Sequence, residues 1–403
     1  MKNYSKEKLF ELEEKYILNT YKRLPVVLVK GEGVYVWDSE GNKYLDFLAG
    51  IAVNSLGHCH PNVVNAIKKQ AEELIHCSNL YYIEPQIKLA KKLVEISCAD
   101  KAFFVNSGAE ANEAAIKIAR KYGKSSGKNR FEIITTLKSF HGRTLGALAA
   151  TGQTKYQKGF GPLPEGFKYV AYNDLKAVED AINESTCAVM VEPIQGEGGI
   201  NIADPEYLQG LRNLCDKHDL LLIFDEIQCG LGRTGKMFAY EHSGVEPDII
   251  TLAKSLGGGV PIGAVLTKGS ASNVFQPGDH GTTFGGNPLA CSAANAVLDT
   301  LESEELIKNA SVVGEYFLDK LNEVKEKYPV IKDVRGKGLM IGVELECEGA
   351  QFVLEFQNKG VLINCTEGKV LRFLPPLTIQ KSHVDSFIDV FKEVLKDAES
   401  RIP

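Results

Sequence analysis

The chain has 403 residues, of which 44% are hydrophobic and 24% charged, which excludes a disordered segment, a collagen-like repeat and a small stapled module. Lys and Arg number 46 against 52 Asp and Glu, a net charge of −6, and no basic run offers the footprint that a nucleic acid backbone requires. At roughly 100–200 residues per domain, the length predicts two domains or three, with a sizeable core.

Residues 1–16 carry charges of both signs and no apolar centre, unlike a secretory leader or a transit peptide. The longest apolar runs, such as 220–224, are far too short for a membrane span. Nine cysteines without a CxxC pair suggest free thiols in a reducing, cytoplasmic setting. The nearest approach to a metal cluster, His58-Cys59-His60, places its side chains in different directions, so no metal is expected.

In chain order, 34–38 and 43–46 flank Glu40-Gly41-Asn42 as a hairpin. From about 60 to 270, short apolar runs alternate with amphipathic stretches, the pattern of an α/β fold with a mainly parallel sheet covered by helices. The predicted strands are 102–105, 132–134, 188–191, 220–224, 249–252 and 262–266, all rich in branched residues. A helix after 102–105 has its apolar face at Ala111, Ala115, Ile118, Ala119 and Tyr122. Asp204-Pro205 opens another, with an N-cap residue, proline at the first helical position and the stripe Leu208, Leu211, Leu214 and Cys215. Beyond 305, helices over 315–327 and 382–397 surround the apolar run 339–345. The expected organisation is a large domain over 57–304 and a smaller α+β domain built from both ends, 1–56 and 305–403.

Three features carry chemistry. Lys254 follows the strand 249–252 and precedes Ser255-Leu256-Gly257-Gly258-Gly259; in partly dry surroundings its amine loses its proton more easily and can form a Schiff base with a carbonyl. Taken alone, a lysine at a strand end is most often a solvated charge. Asp225 ends the run 220–224, at the strand end where open α/β sheets bind ligands. A buried carboxylate there needs a cationic partner, and a protonated pyridine nitrogen would serve. Finally, Asn106-Ser107-Gly108-Ala109-Glu110 joins a strand to a helix, a place suited to a phosphate. Ser107 and Glu110 equally have the spacing of a capping box, and the residues alone leave both readings open. Gly230-Leu231-Gly232-Arg233-Thr234-Gly235 matches the GxGxxG of dinucleotide-binding dehydrogenases. It begins six residues beyond Phe224, behind the acidic pair Asp225-Glu226, and Gly244 and Pro247 leave little room for a crossover helix, so that alternative is remote.

Together, in this order, these elements resemble the class III, pyridoxal-phosphate-dependent aminotransferases. The likeness spans nearly the whole chain, including 50–61, 106–111, 140–144, 192–199, 224–235, Ala253-Lys254, 261–263 and 281–288. It implies the fold type I of pyridoxal phosphate transferases, with Lys254 carrying the cofactor and moving the proton, and Asp225 keeping the ring nitrogen protonated. It further implies that Gln228 bonds the ring hydroxyl, that Phe140 stacks on the ring, and that Ser107, Gly108 and Ala109 hold the phosphate. Thr283 would join them from a second subunit, so a homodimer is implied. Ser255 stands where many members have glycine or alanine.

For substrates, the resemblance implies transfer of the δ-amino group of N2-acetyl-L-ornithine to 2-oxoglutarate, yielding glutamate, in arginine biosynthesis. Ornithine, succinylornithine, succinyl-diaminopimelate and 4-aminobutyrate are alternative donors. Arg143 and Arg372 match the carboxylate-binding arginines, and Glu197 the glutamate that pairs with Arg372 while the ω-amine is bound. Tyr21 matches a tyrosine that contacts the free α-amino group in ornithine δ-aminotransferases.

Overall fold

The computed structural model describes residues 4–125 and 127–399. Among them a seven-stranded sheet runs in the order Lys101–Val105, Gly263–Thr267, Ile249–Leu252, Leu221–Asp225, Thr186–Val191, Glu132–Thr136, Phe167–Val170. Only Gly263–Thr267 is reversed, antiparallel to both its neighbours; the other pairs are parallel. Every residue of the four strands Thr186–Val191, Leu221–Asp225, Ile249–Leu252 and Gly263–Thr267 is buried, as expected for a sheet covered on both faces. Phe167–Val170 escaped the sequence reading because it is a short, half-exposed edge strand with no apolar run.

Helix Gly108–Ser125 lies on one face of the sheet and buries Ala111, Ala114, Ala115, Ile118 and Ala119, whose small side chains permit close approach. Helix Pro205–His218 buries Leu208, Leu211, Leu214 and Cys215 as its stripe predicts. Asp204 makes no side-chain cap bond there; proline at the first helical position sets the start, and left-handed Asp219 ends the helix.

The N-terminal hairpin forms, with Tyr35–Asp38 paired to Lys43–Asp46. Its sheet is extended by Leu28–Glu32 on one side and, in parallel, by Val361–Leu362 on the other. A second sheet runs Ile331–Lys337, Met340–Leu345, Val370–Phe373, Asn364–Thr366; helix Lys381–Glu399 stands where 382–397 was expected, while Leu306–Lys325 overlaps 315–327 but begins nine residues earlier. Phe47 stacks on Phe387 at 4.5 Å and meets Phe317 at 5.5 Å, so residues from both ends of the chain share one aromatic core. No described helix is long and apolar enough to cross a membrane.

Candidate active site

A cavity of about 430 Å³ opens at the carboxyl ends of the central strands. Ser107, Gly108, Ala109, Asp225 and Lys254, drawn from three separate stretches of sequence, all line it.

One end is the start of helix Gly108–Ser125. Ser107 Oγ accepts the Glu110 N–H at 3.2 Å, while the Glu110 carboxylate folds back onto the Asn106 backbone N–H at 2.6 Å and the Asn106 amide at 2.9 Å. The capping box therefore closes one residue earlier than its spacing suggests. Its glutamate is turned away, and the N–H groups of Ser107, Gly108 and Ala109 find no protein acceptor among the described residues. Both readings of this segment are compatible: the helix is capped, and three N–H groups remain for an anion. Gly263 makes room beneath, since a Cβ there would sit 2.6 Å from the Ser107 carbonyl oxygen.

Asp225 is 3% exposed and held by three donors: Oδ2 accepts from Asn112 Nδ2 and His141 Nδ1, each at 2.8 Å, and Oδ1 from the Ile227 N–H at 3.1 Å, which leaves Oδ1 able to accept one more. Neighbouring Glu226 points the other way and accepts the Ala239 and Tyr240 N–H groups at 2.6 and 2.8 Å. Thus only the first carboxylate of the pair serves the cavity. Burial alone would lower the pKa of His141, but the hydrogen bond and charge of Asp225 outweigh it and the net shift is upward. Glu192 also lines the cavity; burial pushes it up to about 7, and it accepts the N–H groups of Phe140 at 3.0 Å and Gly196 at 3.2 Å.

Lys254 sits at φ 20°, outside the ordinary regions for a side-chain-bearing residue. Burial moves its amine below the usual 10.5, with Glu197 opposing and Arg372 adding to the shift. Arg372, fully buried in strand Val370–Phe373, does not itself line the cavity. It donates from Nη1 to Glu197 at 2.6 Å and to Gln228 at 3.3 Å, and from Nε to Asn364 at 3.1 Å, whereas Nη2 has no partner among the described residues. Glu197 and Gln228 do line the cavity and screen the arginine from it. Burial pushes Glu197 up, yet Arg372 and then Lys254 outweigh it, leaving the carboxyl below its usual range.

Phe140 and Arg143 complete one side, the guanidinium lying 3.9 Å from the Tyr156 ring centre and 5.5 Å from that of Phe140. Two expected residues are elsewhere. Thr283 is exposed and outside this cavity, and Tyr21, 71% exposed, lines a separate apolar groove with Leu24, Leu48 and Leu362. The GxGxxG segment is packed into the interior, where a Cβ on Gly230 would lie 2.8 Å from the Glu226 carbonyl oxygen and one on Gly235 2.9 Å from Ser311. Its Arg233 is buried, donating to the carbonyls of Leu339 and Pro375. His58 and His60 part company too, one to Asp46 and the other to Glu304.

The family model of class-III aminotransferases matches residues 16–395. This chain belongs to that family. The aminotransferase is 61% identical over 396 residues to the acetylornithine aminotransferase of Methanocaldococcus jannaschii, covering 98% of this chain and 99% of that protein. Among solved structures, the ornithine aminotransferase of Toxoplasma gondii superposes with a TM-score of 0.95 at 38% identity, covering 99% of this chain and 97% of that one. The acetylornithine aminotransferase of Elizabethkingia anophelis gives 0.87 at 36%, covering 98% and 100%.

Sequence reasoning gave no roles to Asn112, His141 and Glu192 in this aminotransferase. The signal for Asn112 was a polar residue inside an alanine-rich buried stripe; the other two lay within matched motifs. The raised pKa of His141 makes a prediction with a definite sign. Its charge-assisted contribution is complete below the unfolded value of about 6.5 and fades as pH rises through the higher folded value. His141→Ala should therefore cost about 3 kcal/mol at acidic pH and progressively less above it, read as the difference in Tm from wild type across pH. A difference that widens with pH would contradict the pairing.

Proposed function

We propose that this aminotransferase uses pyridoxal 5′-phosphate to transfer the δ-amino group of N2-acetyl-L-ornithine to 2-oxoglutarate. The products are N-acetyl-L-glutamate 5-semialdehyde and L-glutamate, in cytoplasmic arginine biosynthesis. The observation that carries the reading is the convergence of Lys254, Asp225 and three free helix-start N–H groups on one cavity, beside an arginine covered by a glutamate. The name borne by the 61% identical relative supports the acetylated donor.

The residues present fit the cofactor. The N–H groups of Ser107, Gly108 and Ala109 would hold its phosphate, the Asp225 carboxylate a cationic ring nitrogen and Gln228 the ring hydroxyl, and Phe140 would pack on the ring. When bound there, pyridoxal phosphate supplies an electron sink for the charge left as the substrate carbon loses its proton. Lys254 attaches the cofactor and afterwards, with its amine made less basic by burial, takes that proton and returns it. Asn112 and His141 keep Asp225 from turning away. Arg143 binds the carboxylate of the donor, and Arg372, released by Glu197, binds the α-carboxylate of glutamate. Among the described residues, 57–125 and 127–304 make up the proposed cofactor-binding domain, and 4–56 with 305–399 the smaller one.

The active unit is a homodimer in which Thr283 of the partner subunit completes the phosphate site. Leu80 and Tyr82 are 85% and 97% exposed, and Asn79 ties their segment to the carbonyls of Thr282 and Gly285, so Thr283 stands beside an uncovered apolar surface. Tyr82→Asp should yield a monomer by light scattering that loses the cofactor on gel filtration; a stable dimer with full cofactor would refute this placement.

The donor is tested by measuring kcat/KM for acetylornithine, ornithine, succinylornithine, succinyl-diaminopimelate and 4-aminobutyrate with 2-oxoglutarate. Acetylornithine should lead unmodified ornithine by more than about tenfold. Equal rates would overturn the assignment and favour an ornithine aminotransferase, the activity named for the Toxoplasma structure.

A further inference from the structure

Four consecutive residues, Ala49, Gly50, Ile51 and Ala52, have φ of 51°, 64°, 63° and 61°, so the chain makes a left-handed turn in which three residues carry a Cβ. Such a run is sterically unfavourable for L-residues and persists only where the surroundings hold it. Two holds come from the same small unit: Asp46 Oδ1 accepts the N–H groups of Leu48 and Ala49 at 2.9 Å each, and its Oδ2 lies 2.7 Å from His58 Nε2. The third comes from the lysine segment. Ser255, 2% exposed, donates its hydroxyl to the Ala52 carbonyl at 2.8 Å. Among the described residues this is the hydrogen bond that joins the turn to the lysine segment.

The positions it connects are adjacent to cavity residues on both sides. Val53 follows the turn, Lys254 precedes Ser255, and both line the cavity. Val53 presents an apolar side chain to the cavity, on the turn side of the wall that also holds Lys254. We propose that Ser255 is a positioning residue for the amino donor: its hydroxyl holds the left-handed turn so that Val53 stays packed against the donor beside Lys254. This rests on the cavity being the aminotransferase site described above. Without the bond the turn relaxes, the fraction of sites with Val53 in place falls, and the apparent affinity for the donor falls by the same factor. Lys254 keeps its own supports, the strand Ile249–Leu252 and the Leu256 N–H to Ala253 carbonyl bond at 2.6 Å.

The test compares wild type, Ser255→Ala, Val53→Ala and the double variant, all loaded with pyridoxal phosphate. Ser255→Ala should raise KM for the amino donor about fivefold, the scale of one neutral hydrogen bond, with kcat nearly unchanged. Its visible absorption and borohydride trapping should match wild type. Because Ser255 acts through Val53, the double variant should have the KM of Val53→Ala alone. An unchanged KM in Ser255→Ala, whatever its Tm, or additive effects in the double variant, overturns the proposal. A wild-type protein that neither retains the cofactor nor transaminates overturns the reading of the cavity, and the role of Ser255 with it.

Discussion

Lys254→Ala is expected to leave a folded protein that neither holds pyridoxal phosphate through a borohydride-reducible bond nor transaminates. In the proposed role the amine is both the nucleophile that retains the cofactor and the base that moves the proton, and loss of a positioned acid-base group alone costs about 10²–10⁴-fold. With both roles gone, activity should fall by at least about 10³-fold. Folding should survive, because burial disfavours the charged amine and its attraction to Glu197 and Asp225 does not outweigh that cost. Mass analysis after borohydride reduction, a single-turnover assay and a thermal melt check the three parts. A reduced cofactor still attached to the variant, or activity within tenfold of wild type, would sink the assignment of Lys254.

The central strands were legible because burial on both faces writes them as unbroken apolar runs; Phe167–Val170, at the sheet edge, is under no such constraint and left no trace. The lysine, the aspartate and the helix start could be found for a related reason: each terminates such a run, and strand ends are where the fold presents side chains to a ligand. Their supports were not legible. Asn112 reaches Asp225 across 113 positions and His141 across 84, contacts that no local pattern encodes. The left-handed turn at Ala49 to Ala52 contains a single glycine, so its backbone is imposed by Asp46 and Ser255 rather than by propensity. Tyr21 is placed by contacts that its motif does not encode. Its motif is matched, but the irregular segment around it runs along the hairpin, held where the Ser39 N–H meets the Val27 carbonyl, and carries the ring away from the cavity.

Arg372→Ala should damage the two half-reactions unequally. Strand Val370–Phe373 is paired on both sides, Gly342 opposite Arg372 on one and Asn364 on the other, so the guanidinium cannot drift. Of its donors, Nε is occupied by Asn364, Nη1 by Glu197 and Gln228, and Nη2 by nothing among the described residues. When Glu197 moves aside, Nη1 and Nη2 together present the fork that a planar carboxylate accepts. Glutamate brings such a carboxylate to the reacting carbon, whereas the δ-carbon of the ω-amine has none, and in the proposed switch Glu197 then stays in place and neutralises the arginine. The lowered pKa of Glu197 keeps this pair charged at neutral pH, and it weakens only as pH falls through that lowered value. Removing Arg372 should therefore slow the glutamate half-reaction by about 10²–10³-fold, the loss of a buried charge-assisted pair worth about 3–4 kcal/mol. The acetylornithine half-reaction should lose less than about tenfold. Glu197→Gln should invert the pattern, sparing glutamate and slowing the ω-amine, since Arg372 then stays partly uncompensated beneath an uncharged substrate carbon. Single-turnover spectra of each half-reaction measure both variants directly; equal losses in Arg372→Ala would mean that the arginine serves structure alone and that Glu197 is no switch.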